Sequence, residues 1–238
     1  MNVFIIGRKY EGKTTLGVFL ARRVRDEKHG YKVIVFEPKW TLRSIPHTDD
    51  IHEFSDMLND SELNEVTFYA GSGVAEDESK DADSKIVRQD FTDFYDRAGI
   101  ESFLRNPPAR PLVVVIDEAY YLQGNGYVHP RLARMMRLAS EGKLYIFMMV
   151  HRPIDLDPDV RGKADQFFFF NEFEPLDLKV IREMCGADCA DTVARLPEHH
   201  VLSFKVRGRE VKLWNHPELW YTDTSEEANV ERDIESVT

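Results

Sequence analysis

Cysteine is nearly absent: the 238 residues hold two, Cys185 and Cys189. Neither a disulfide framework nor a four-ligand zinc site can be built from them alone, and the expected state is two reduced thiols on a helical segment. Long apolar runs are missing too. No window approaches the roughly 18 apolar residues of a membrane-crossing helix. The opening MNVFIIGRKYEGKTT lacks a basic start, a long apolar stretch and a cleavage site, so the expectation is a chain that is not secreted and is cytoplasmic in setting. Positive charge is scarce, with 31 Lys and Arg against 42 Asp and Glu and a net charge of -11. This disfavours a broad basic surface for nucleic acid, but leaves room for a local basic patch or a ring with a basic inner wall. No internal repeat or linker divides the chain. The acids collect between Glu76 and Asp83, read as a solvated loop, and between Ser225 and Thr238. The expected layout is a single domain over 1–221 and a polar acidic tail over 222–238.

What is present is an alternation of strand and helix signals. The apolar runs Val3–Ile6, Lys32–Phe36, Val66–Ala70, Leu112–Ile116, Leu144–Val150 and Gln166–Phe170 read as buried strands. Between them, apolar residues at helical spacing predict helices over Lys13–Lys28, Ile51–Leu58, Phe91–Asn106 with a break at Gly99, and Pro130–Glu141. Pro175–Met184 and Asp188–Leu196 follow as two more. Val201–Val206 and Glu210–Trp214 flank Arg207-Gly208-Arg209 and predict a terminal β-hairpin. The order implies an α/β fold with a mostly parallel sheet wrapped by helices.

Gly7-Arg8-Lys9-Tyr10-Glu11-Gly12-Lys13-Thr14 fits the pattern G-x-x-x-x-G-K-[ST]. The glycines let the backbone curl until successive N–H groups face a phosphate. Lys13 supplies a cation to the outer phosphates, and Thr14 offers its hydroxyl to Mg²⁺. The helix that begins here turns its positive end to the same anion. The expected nucleotide-binding set is therefore Gly7, Arg8, Lys9, Tyr10, Glu11, Gly12, Lys13, Thr14 and the adjoining Thr15.

The run Leu112–Ile116 ends in Asp117-Glu118. An acid at a neighbouring strand tip holds Mg²⁺ in phosphate-loop proteins, which assigns the metal to Thr14 and Asp117. A second acid beside it, Glu118, can orient and deprotonate an attacking water. That pairing favours ATP hydrolysis over transfer to a substrate hydroxyl. His151 closes the run Leu144–Val150, where a polar side chain would lie beside the γ-phosphate and sense it by hydrogen bonding. Arginines that could complete such a site from a neighbouring subunit are Arg137 and Arg134 first, then Arg152; Arg131, Arg161 and Arg8 are further candidates.

The order of these pieces resembles the FtsK/HerA class of DNA-translocating ATPases, and within it the compact genome-packaging ATPases of membrane-containing double-stranded DNA viruses. The resemblance rests on the phosphate loop, on the strand ending in Glu37-Pro38-Lys39, on VVVIDEAYYL, and above all on HRPIDLDPDVRGKADQFFFF. It implies a RecA-like P-loop NTPase core, ATP and Mg²⁺ as cofactors, a hexameric ring of identical subunits, and ATP-driven movement of double-stranded DNA. It also implies a capsid or virion membrane protein as docking partner, and residence in the host cytoplasm and at the packaging vertex. The chain departs from that class at three places. Glutamine is usual where His151 stands, aspartate is common where Glu37 stands, and small residues are common where Tyr10 and Glu11 stand.

DNA contacts follow from the resemblance more than from the residues. Lys39 and Arg43 around Trp40 are one candidate grip, and Arg207 and Arg209 at the hairpin tip are another. Three other readings stay open: a HerA-like translocase outside viruses, a phosphate-loop nucleotide kinase, and a nucleotide-gated interaction module that scarcely hydrolyses ATP.

Overall fold

A computed structural model describes residues 1–28, 30–38, 42, 44–70, 80–97, 100, 112–124, 126–141, 144–172 and 174–214. The strands are β1 Asn2–Ile6, β2 Lys32–Glu37, β3 His47–Thr48, β4 Glu65–Tyr69, β5 Leu112–Ile116, β6 Gln123–Gly124, β7 Tyr127–Val128, β8 Leu144–Val150, β9 Gln166–Phe169, β10 Val201–Lys205 and β11 Glu210–Trp214. The helices are α1 Lys13–Glu27, α2 Ile51–Asn59, α3 Lys80–Arg97, α4 Pro130–Ser140, α5 Pro158–Arg161, α6 Pro175–Cys185 and α7 Ala187–Val193.

Among the described residues nine strands form one sheet in the order β11-β10-β9-β1-β8-β5-β2-β4-β3. From β9 to β3 every neighbouring pair is parallel, and β10 and β11 add the expected antiparallel hairpin at one end. The central parallel strands are apolar on both faces because helices cover both. Val3, Ile5, Val33, Val35, Val113, Val115, Phe147 and Met149 pack with Leu16, Val18 and Ala21 of α1. The alternate residues Phe4, Ile6, Ile34, Phe36, Val114, Ile116, Ile146 and Met148 face the other way, onto Phe54, Phe91, Phe94, Leu132 and Met135 of α2, α3 and α4. This is the P-loop α/β fold expected from the order of elements. Among the described residues no helix is long and apolar enough to cross a membrane.

Several elements differ from the sequence reading. Helix α3 begins at Lys80, so Lys80–Asp83 of the acidic stretch are helical and not loop. The apolar series Val87, Phe91, Phe94 and Tyr95, all buried, runs at helical spacing and carries the helix back toward the acidic residues. The expected helix over Phe91–Asn106 is described only to Arg97 and at Ile100; its later part, with the break at Gly99, lies outside the described residues. The short strand β3, the β6–β7 hairpin and α5 have too few residues for a periodic signal.

The cysteines require a correction: Cys185 and Cys189 are joined as a disulfide, not left as two thiols. The two helices expected here are present as α6 and α7, and each carries one of the cysteines. Gly186, at φ 103, turns the chain between α6 and α7. That corner brings the two Cα atoms to 5.8 Å, a separation a disulfide spans.

Lys32 adds a contact that its place in an apolar run concealed. Its fully buried Nζ donates to the carbonyls of Met57, Leu58 and Asp60, at 3.1, 2.7 and 2.8 Å. A cation on the free carbonyls of the end of α2 satisfies both partners.

Candidate active site

Parallel strands end on the same edge of a sheet, and here that edge collects the polar residues. Ile6 pairs with Val150 of β8 and Phe169 of β9, and Phe36 pairs with Ile116. The residues after these ends therefore stand side by side: the loop from Gly7, then His151, then Asp117-Glu118, with Glu37 closing β2. The Gly7 N–H is held by the Val150 carbonyl at 3.2 Å. A Cβ built on Gly7 would lie 2.6 Å from the Cβ of Phe170, so only glycine leaves room for this approach. Gly7→Ala is expected to destabilise the fold by about 1–3 kcal/mol through overpacking, a fall of roughly 2–10 °C on thermal denaturation.

The loop then curls through two left-handed residues, Tyr10 at φ 69 and Gly12 at φ 94. This backbone aims N–H groups inward. Tyr10 itself is 83% exposed. Lys13 is buried, and its Nζ donates to the Arg8 carbonyl at 2.7 Å inside the curl. The same Nζ lies 3.3 Å from His151 Nδ1. Thr14 donates through Oγ1 to Asp117 Oδ2 at 3.1 Å. Glu118 N–H donates to Asp117 Oδ1 at 2.9 Å, and Glu118 Oε2 lies 2.7 Å from His151 Nε2. Lys13, Thr14, Asp117, Glu118 and His151 thus form one connected cluster.

The acid at position 11 is accommodated locally. Glu11 is buried, and its carboxylate faces the Arg8 guanidinium at 3.6 Å. Arg8 also donates to Asn171 Oδ1 at 3.0 Å. Two residues that sequence reading did not single out meet the loop here. Asn171 follows β9 and donates to the Leu196 carbonyl at 2.7 Å. His199, at φ 63, brings Nδ1 to 3.4 Å from the Glu11 carbonyl. Asn171 follows a strand end beside β1, a position that the parallel-strand rule flags.

Burial, followed by the charges of Glu118 and Glu37, raises the Asp117 carboxyl from 3.8 to about 6. A divalent cation fits this place. Thr14 and Asp117 offer hard oxygen donors, and the surplus negative charge around Asp117 is what a cation offsets. Among the described residues no group of three His, Cys, Asp or Glu side chains forms a metal site of its own. Mg²⁺ would therefore be held by Thr14 and Asp117 together with the phosphates it accompanies.

The raised carboxyl has a consequence for stability. An acid whose folded value lies above its unfolded value weakens the fold as it ionises, so the metal-free chain loses stability as pH rises from about 4 to about 6. Asp117→Asn removes that effect. The variant is expected to be more stable than the native chain by about 1–3 kcal/mol above pH 6, with the difference vanishing below about pH 4. Urea unfolding across that range checks it; equal stability at pH 8 contradicts it.

The arginines are placed less favourably. Arg152 is tied to the fully buried Asp177, with Nε 2.8 Å from Oδ2, and Asp177 also accepts from Ile154 N–H. Arg131 pairs with Asp96 at 2.9 Å. Arg134 and Arg161 are half-buried, and Arg137 is exposed. The last turn of α4 sits where β1 begins, because Met1 and Asn2 donate to the carbonyls of Ala139 and Met136. Arg137 is therefore about 16 Å, one length of β1, from its own phosphate loop. Arg207 and Arg209 are exposed at the hairpin tip. Lys39, Trp40, Arg43 and the tail over 222–238 lie outside the described residues.

The sequence matches no known family model and no curated protein. Solved structures do match. The genome packaging NTPase B204 from Sulfolobus turreted icosahedral virus 2, in complex with AMPPCP, superposes with a TM-score of 0.69 at 22% identity, over 90% of this chain and 96% of that one. Its complex with ATP-γS gives 0.67 at 23% identity, over 90% and 96%. VirB4 of Thermoanaerobacter pseudethanolicus gives 0.62 at 11% identity, over 92% and 91%. At such identities the likeness is one of fold, and that fold is the P-loop α/β fold which the resemblance drawn from the motifs implies.

Proposed function

We propose that this chain is an ATP-hydrolysing motor that moves double-stranded DNA, working as a ring of identical subunits in viral genome packaging. The observation that carries the reading is the convergence of Lys13, Thr14, Asp117, Glu118 and His151 at one sheet edge. The inward-curled loop and Lys13 bind the outer phosphates of ATP. Thr14 and Asp117 hold Mg²⁺, which when bound spreads the charge of the phosphates. Glu118 takes a proton from the water that attacks the γ-phosphorus, and that oxygen replaces the bridging oxygen of ADP. A carboxylate beside the metal-holding Asp117 suits water as acceptor better than the hydroxyl of a kinase substrate. The packaging role is supported by likeness to a structure whose protein is a genome packaging NTPase.

In this reading a ring partner supplies the arginine that stabilises the transition state, and Arg137 or Arg134 is the residue supplied. Its location far from its own phosphate loop suits a contribution to a neighbour. Movement along DNA is tested by displacement of a third strand from a triplex on linear duplex. Displacement that needs ATP and duplex length is expected. Hydrolysis without displacement contradicts the motor while leaving the ATPase.

A further inference from the structure

His151 touches two groups that hydrolysis uses for different tasks. Its Nε2 lies 2.7 Å from Glu118 Oε2, and its Nδ1 lies 3.3 Å from Lys13 Nζ. An ammonium has only protons to give, so Nδ1 accepts and carries none. The proton of a neutral ring then sits on Nε2, toward the carboxylate. The ring is a bridge with a direction: Lys13 donates to one nitrogen, and the other stands against the Glu118 carboxylate as a close ionic contact. Glu118 meets it from a left-handed backbone, at φ 49 and ψ 44, a conformation uncommon outside glycine.

We propose that His151 is a relay which reports phosphate at Lys13 to Glu118. The inference rests on Glu118 being the base of the ATPase proposed above. Phosphate oxygens are charged acceptors and compete strongly for an ammonium held by a neutral ring nitrogen and a carbonyl. When Lys13 goes to them, Nδ1 loses its donor, and Glu118 alone holds the ring. The imidazole then turns, and Glu118 Oε2 is released to accept from water. Without nucleotide the carboxylate stays engaged by the ring. His151 acts through Glu118 and is a positioning residue. Glutamine supplies the same two functions, a carbonyl that accepts from Lys13 and an amide that donates to Glu118; alanine supplies neither.

The first test reads a proton and needs no turnover. In protein labelled with ¹⁵N at histidine, the His151 ring signals are assigned by their loss in His151→Gln. The nucleotide-free chain is expected to show Nε2 protonated and Nδ1 bare. Saturation with the Mg²⁺ complex of AMPPCP is expected to shift the Nδ1 signal, and Lys13→Met to shift it without nucleotide. A ring protonated on Nδ1, or one indifferent to both changes, overturns the relay.

The second test separates rate from affinity. His151→Ala is expected to lower kcat about 10- to 100-fold while the Kd for ADP stays within about threefold. His151→Gln is expected to restore most of the lost rate. Equal losses in rate and affinity, or an alanine variant as fast as the native chain, contradict it. A native chain that hydrolyses no ATP refutes the ATPase, and the ring signals still decide the bridge.

Discussion

Glu118→Gln is expected to lower ATP turnover by about 10²- to 10⁴-fold, the range that removal of a general base produces. That corresponds to roughly 3–5 kcal/mol of lost transition-state stabilisation. ATP binding is expected to survive, because the phosphate contacts belong to the loop and Lys13. Glutamine matches the carboxylate in shape, so it fits the buried place beside Asp117 and His151. What it cannot do is take a proton from water. The measurement is single-turnover hydrolysis beside the Kd for AMPPCP. A rate that falls while affinity holds supports Glu118 as base. A variant that hydrolyses as fast as the native chain excludes that role.

Lys13→Ala is expected to act on the other side of that division and remove nucleotide binding. The buried Nζ donates within the curl of the loop, to the Arg8 carbonyl, where a phosphate would draw it. One or two charge-assisted bonds to phosphate are worth about 1.5–3 kcal/mol each, so affinity should fall by roughly 10²-fold or more. The readout is stabilisation by ligand: AMPPCP with Mg²⁺ raises the Tm of the native chain by mass action and leaves the variant unmoved. A variant stabilised as much as the native chain rules out Lys13 as the phosphate cation.

The phosphate loop was legible because its requirements are local. Two glycines, a lysine and a hydroxyl at fixed spacing leave few other backbones or chemistries. Asp117, Glu118 and His151 could be grouped from sequence because each ends an apolar run, and parallel runs end on one edge. The distances within the group could not, since they depend on register between strands far apart in the chain. Asn171 follows the end of a strand beside β1 and could have been grouped the same way; His199 approaches the loop from far along the chain, where spacing carries no information. The cysteine pair was misread because the approach of the two sulfurs depends on the backbone turn at Gly186, at φ 103, and that turn leaves no trace in a hydrophobic pattern. The start of α3 was masked by acidic composition, which signals solvent exposure in a helix as readily as in a loop. Arg134 and Arg137 show the limit of reading one chain. Which arginine could complete a neighbouring subunit's site depends on how two copies meet, and neither spacing nor hydrophobic pattern in one chain carries that.

The measurement that bears most directly on the account is ATP hydrolysis by the native chain and by Glu118→Gln, each with and without long linear duplex DNA. The account predicts turnover that rises with DNA in the native chain and is lost in the variant under both conditions. Turnover that ignores DNA, or persists in Glu118→Gln, would contradict it.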